Sequence, residues 1–167
     1  MTIVTTLIRR GAISLAALTL TGAALATAPS VALAAPQAPA AGVVRTQSAY
    51  GFDETVARVK ADIAAKGVRF FAEIDQGQLA GEAGIKLAPS KLLLFGNPPL
   101  GAQFLTSNPY AGLDWPVRIL VTQDADGKVW VAYTDFAYIA DRYQIRDRDA
   151  AFAMASQVAA SIASSTR

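Results

Sequence analysis

The sequence predicts an α+β fold with helices on one face of a mostly antiparallel sheet of about five strands. Three observations carry that prediction. Short runs rich in β-branched and aromatic residues cluster in the middle of the chain, an Asp-Gly turn joins two of them, and segments with helical apolar spacing stand on either side of the cluster.

The first 34 residues read as an export leader. Arg9 and Arg10 supply a positive start, Gly11 to Ala28 is apolar but diluted by Thr and Gly, and Ala32-Leu33-Ala34 has the small-x-small form of a signal-peptidase site. Cleavage is expected after Ala34, giving a secreted or periplasmic protein with no stable membrane insertion. Ile8-Arg9-Arg10-Gly11 lacks the Ser and the apolar pair of a twin-arginine signal, so the arginines alone do not assign the export route. Residues 35–42, APQAPAAG, are expected to be a flexible lead-in, and the domain proper is residues 43–167.

Val43 to Ala49 is the first strand. Asp53 is placed as the N-cap of a helix running to Lys66, with Val56, Val59 and Ile63 on one face and Gly67 as its stop. Val68 to Ile74 is the second strand. Asp75, with Gln78 three residues on, starts a short helix that carries Leu79, Ala80 and Ala83 and ends at Gly84. Ser90 to Phe95 is the third strand, and its consecutive leucines predict burial on both faces. Trp115 to Asp135, WPVRILVTQDADGKVWVAYTD, is a hairpin turning at Asp124-Ala125-Asp126-Gly127. With a loop of two or four residues, Val117, Ile119 and Val121 share a face with Trp130 and Ala132, and Arg118, Leu120 and Thr122 share the other with Val129, Val131 and Tyr133. Phe136 to Tyr143 is a helical turn, and Ala150 to Ser164 is a helix presenting Phe152, Ala155, Ala159 and Ile162.

Composition bounds the chemistry. The chain has no Cys and no His, which excludes disulfides, thiolate metal sites, thiol nucleophiles and imidazole bases. Met1 and Met154 are its only methionines, so haem or copper ligation has little to draw on, and neither a cofactor nor a metal is expected. Of 15 basic side chains, Arg9 and Arg10 lie in the leader; their loss leaves 13 against 13 acidic ones. A neutral domain with dispersed charge has no electrostatic footprint for nucleic acid or an anionic membrane.

Phe52 and Thr55, the segment GVRFFAEIDQGQLAGEAGIKLAPSKLLLFGNPPLG and the segment LDWPVRILVTQDADGKVWVAY together resemble the domain of unknown function 302 family, over about Phe52 to Tyr143. The specific part is an Ile-Asp strand end, a Leu-x-Pro-Ser-x-Leu lead and Phe-Gly-Asn-Pro. The resemblance implies a two-layer α/β sandwich of TBP-like β-α-β(4)-α topology, with dimers among relatives and no agreed reaction. Gln76 stands where members usually carry His, Gly101-Ala102-Gln103 stands in place of a usual Gly-Thr-Pro, and Trp115-Pro116 replaces Leu-Pro. If the family has a site using an imidazole and a hydroxyl, this chain lacks both groups.

Four constellations bear on function. Glu73 and Asp75 point to one side of a strand end, with Asp114 as a possible neighbour; they suit a carboxylate-dependent hydrolase or isomerase aided by Asn97, or else Asp75 is a helix cap and Glu73 a surface residue. Asn97 and the backbone N–H groups of Gly101, Ala102 and Gln103 open a short helix that can cradle a small anion beside Lys91 or Arg118, or else Asn97-Pro98-Pro99 simply stops a strand. Asp124-x-Asp126-Gly127 has the start of a calcium loop without its later acidic ligand, as a plain turn would. Arg142, Arg146 and Arg148 alternate with Asp141, Asp147 and Asp149 as on a self-neutralising solvated face. The leading expectation is a non-enzymatic module that binds a small ligand through Asp75, Gln76, Asn97, Gly101, Gln103 and Arg118, or that forms a homodimer through the alanine face of the terminal helix and exposed strand edges.

Overall fold

The computed structural model describes residues 40–167. In chain order the elements are β1 (Val43–Gln47), α1 (Phe52–Ala65), β2 (Arg69–Asp75), α2 (Gln76–Glu82), β3 (Ser90–Gly96), α3 (Pro98–Ser107), a 3-10 turn (Pro109–Asp114), β4 (Val117–Gln123), β5 (Val129–Thr134), α4 (Phe136–Arg142) and α5 (Asp149–Ser164). The strands form one antiparallel sheet in the order β1-β5-β4-β3-β2. This is the expected α+β sandwich, with α2, α3 and the 3-10 turn inserted between strands. The leader and most of the lead-in fall outside the described residues. No described helix is long and apolar enough to cross a membrane.

Helical periodicity decides which side of the sheet is covered. Val56, Val59 and Ile63 of α1 and Ile162 and Ala163 of α5 are buried against Leu93, Phe95, Ile119, Val121, Val129 and Val131. Each Ile or Leu so buried contributes about 1.5–3 kcal/mol relative to leaving it in water. A second cluster joins α3, α4 and α5, where Phe104 lies 4.3 Å from Phe152, ring centre to ring centre. Ala151, Ala155, Ala159 and Ala163 are all buried. The alanine face expected as a dimer contact is therefore spent inside the molecule, because small side chains let α5 lie close to the sheet.

Three local expectations are corrected. Gly51, not Asp53, is the N-cap of α1, and the Thr55 hydroxyl donates to the Gly51 carbonyl at 2.8 Å. The hairpin loop has three residues: Asp124 N–H donates to Lys128 O at 2.9 Å and Gly127 takes φ +79°. That odd loop shifts the pairing by one, so Val121 faces Val131 and Ile119 faces Tyr133, whereas Leu120 faces Ala132 and Thr122 faces Trp130. Finally, β3 is buried on one face only. Leu93 and Phe95 are inside, while Leu92 and Leu94 are half-buried on a side that no described helix covers.

The two ends of the described chain meet at a buried hydroxyl cluster. Ser48 Oγ lies 2.7 Å from Thr55 Oγ1 and donates to Thr166 O at 3.1 Å, and Ala49 N–H donates to the same carbonyl at 2.8 Å. Thr55 and Thr166 have no exposed surface. Before β1, residues 40–42 form a turn rather than a loose lead-in: Val43 N–H donates to Ala40 O, and Gly42 at φ +76° lies against the Tyr138 ring.

Candidate functional site

The expected site residues fall in separate places. At one end of the sheet, Glu73 accepts from Lys60 Nζ at 2.8 Å and lies 3.0 Å from Lys91 Nζ, which also reaches Asp75 at 3.6 Å. The hydrogen bond from Lys60, then that from Lys91, holds the Glu73 carboxyl below its ordinary value, and the same pairing raises Lys91. This is the reverse of a general acid, which needs its proton retained. Asp75 caps α2 by accepting from Gln78 N–H at 2.8 Å, and Gln76 accepts from the Ser90 hydroxyl at 2.8 Å. β2 and β3 set Asp75 opposite Lys91, six residues before Asn97 on an extended strand, so Asn97 lies about 20 Å away. The carboxylate pair and Asn97 do not converge on one reacting centre.

At the far end, the start of α3 has no donor to offer an anion. Pro98 and Pro99 have no N–H, Leu100 N–H donates to Asn97 Oδ1 at 3.2 Å, and Gly101 N–H donates to Asn97 O at 2.8 Å. Ala102 and Gln103 lie inside the helix and both are exposed. Gly101 has a packing role: a Cβ built there would lie 2.0 Å from Trp115 Nε1, and one at Gly96 would lie 3.2 Å from the same atom. The Phe-Gly-Asn-Pro-Pro-Leu-Gly stretch is thus a strand stop, a cap and a seat for the Trp115 indole.

Arg118 belongs to a third place, which the sequence did not reveal. The Asp114 carboxylate is buried and accepts from Arg118 Nη2, from Arg142 Nη1 at 3.1 Å and from the Tyr143 hydroxyl at 2.6 Å. Burial, then the bond to Asp114, pushes the Tyr143 hydroxyl up. Arg142 therefore leaves the surface cluster in which its neighbours pair locally, Arg146 with Asp141 and Arg148 with Asp147. The cavity beside Asp114 is only about 10 Å³, too small for a substrate, so the cluster ties the 3-10 turn to β4 and α4. In the hairpin, Asp124 accepts from Asp126 N–H, Lys128 N–H and Trp130 Nε1, which use both carboxylate oxygens without an ion.

What the fold does assemble is the uncovered face of the sheet. Ile74, Leu92, Leu120 and Ala132 line up in register across β2, β3, β4 and β5, and Arg45 on β1 ends the row. The Arg45 guanidinium stacks 4.3 Å from the centre of the Trp130 ring. A concavity of about 330 Å³ opens between Val43, Leu92, Leu120, Ala132 and Arg118.

The domain of unknown function DUF302 family model matches residues 44–164 of this chain. The chain belongs to the DUF302 family. Its DUF302 fold is also that of an uncharacterized conserved DUF302 protein from Bacillus stearothermophilus, whose crystal structure superposes with a TM-score of 0.70 at 18% identity, covering 77% of this chain and 100% of that one. Two curated relatives are Fluoride-specific ion channel FluC 1 of Brucella suis and FluC 1 of Brucella abortus. Each is 38% identical over 104 residues, 62% of this chain. The match spans only 41% and 38% of those proteins' own lengths. All the candidate residues lie inside the DUF302 match. Gln76 is bonded to Ser90, and Ala102 is on the exposed side of α3.

Proposed function

We propose that this DUF302 domain is a non-enzymatic self-associating module of an exported protein, two copies meeting through the uncovered sheet face. The observation that carries the reading is the in-register row Ile74, Leu92, Leu120 and Ala132, apolar across four strands with no described helix over it. Four inter-strand gaps and strands of five to seven residues make this face about 400 Å² in projection, with the apolar row crossing its middle and Arg45, Arg118, Thr122 and Thr134 flanking it. A two-fold axis parallel to the strands reverses the row in the second copy. Arg45 of one copy then lies over the Ile74 end of the other, and the two guanidinium groups stand about 19 Å apart, beyond the reach of strong repulsion in salt. Arg118, on the central strand, is held toward Asp114, a carboxylate it shares with Arg142. A sequence of this kind also forms about two fifths of the Brucella channels, which supports a portable module; the conduction named for those proteins is not carried over.

Sedimentation velocity tests the reading. The purified protein is expected to run as a dimer, Leu120→Glu as a monomer, and Ala61→Glu, on the exposed side of α1, as a dimer. A wild-type protein that stays monomeric at every concentration overturns it.

A further inference from the structure

We infer a second site: a partly open apolar pocket of about 120 Å³ on the helical side that takes a small uncharged molecule with one hydrogen-bond acceptor. It lies at the seam between the two core clusters. Phe95, Val68 and Val158 come from one, Leu100, Phe136 and Ala155 from the other, and Val117 touches both. The space exists because the residues there are small. Ala155 and Ala159 carry only a methyl group and keep α5 from filling the gap.

The rim chooses the ligand. Lys66 reaches the cavity, but its Nζ lies 2.5 Å from Asp62 Oδ2, so a charged ligand meets no net countercharge. Asn97 also lines it. Its Oδ1 is taken by Leu100 N–H, and its Nδ2 has no partner among the described residues, so the two amide N–H groups of this exposed rim residue are available to an acceptor such as a carbonyl. Dry apolar cavities of about 150 Å³ hold benzene, so about 120 Å³ suits roughly five or six heavy atoms. Met154, 56% exposed, stands at the opening. Because this site is on the helical layer, its occupancy is independent of association through the opposite face.

Cyclopentanone and its apolar counterpart cyclopentane, titrated into the full chain and followed by methyl NMR, test the inference. Both should give saturable shifts at Met154, Ala155 and Ala159, and leave Leu92 and Leu120 unmoved. Asn97→Asp keeps the cap oxygen but removes the amide donor; it should weaken cyclopentanone about 2–10-fold and leave cyclopentane unchanged. Ala155→Leu should abolish both by filling the space, and xenon, which needs no variant, should displace cyclopentane from the wild type. No saturable shift, shifts centred on the sheet face, or equal weakening of both probes by Asn97→Asp overturns the site.

Discussion

Gly101 and Trp115 form one packing unit, and neither can change alone. A Cβ at Gly101 would fall 2.0 Å from Trp115 Nε1, so Gly101→Ala must displace the ring. Urea unfolding should show a loss of about 1–3 kcal/mol, as for other overpacked sites, with an altered Trp115 emission. A variant as stable as wild type would mean that the indole has another seat. Glu73 supplies the pH dependence. Lys60 and Lys91 hold its folded carboxyl below the ordinary 4.5, so its contribution to stability is complete above that pH and is lost as the pH falls through the lowered folded value. Glu73→Gln should melt lower at neutral pH and lose less stability on acidification below about pH 4.5; parallel wild-type and variant curves there would refute the pairing. Sequence reading found both residues but misassigned Gly101. A glycine required by a partner fourteen positions on looks, in one dimension, the same as a glycine required by a ligand.

The strands and the two long helices were legible because their signals are periodic and local: Val56, Val59 and Ile63 in α1, and Phe152, Ala155, Ala159 and Ile162 in α5, all face the core as spaced. The hairpin shows where such reading stops. Its existence follows from Asp-Gly between apolar alternations, but its faces depend on one residue of loop length, and the three-residue loop with Gly127 at φ +79° reverses them. Gly127→Val forces a β-branched residue into the left-handed region. It should cost about 1–2 kcal/mol by thermal or chemical unfolding, and a neutral result would place Gly127 in an ordinary turn. Leucine succession in β3 misled for a related reason: whether Leu92 is covered depends on which side α1 and α5 take, a property of the assembled layers and not of the strand. The partners of Asp114 at Arg142 and Tyr143 lie far along the chain on another element, so no spacing rule reaches them.

At the scale of the whole molecule, the one-sided sandwich leaves its apolar row without a described helix over it, the face through which we propose self-association. A dimer of this kind couples folding to protein concentration, so the Tm should rise by a few degrees for each tenfold increase in concentration, and Leu120→Glu should remove that dependence. A Tm independent of concentration in the wild type would count against the dimer. The buried cluster of Ser48, Thr55 and Thr166 has a different consequence, one of timing. β1 is the first described strand to emerge during synthesis, yet its only partner among the described residues is β5, about ninety residues later, and the cluster at its end closes only when Thr166 arrives. The native state therefore cannot form on a partly made chain. A nascent polypeptide of this design leaves β1 unpaired until β5 and Thr166 are available.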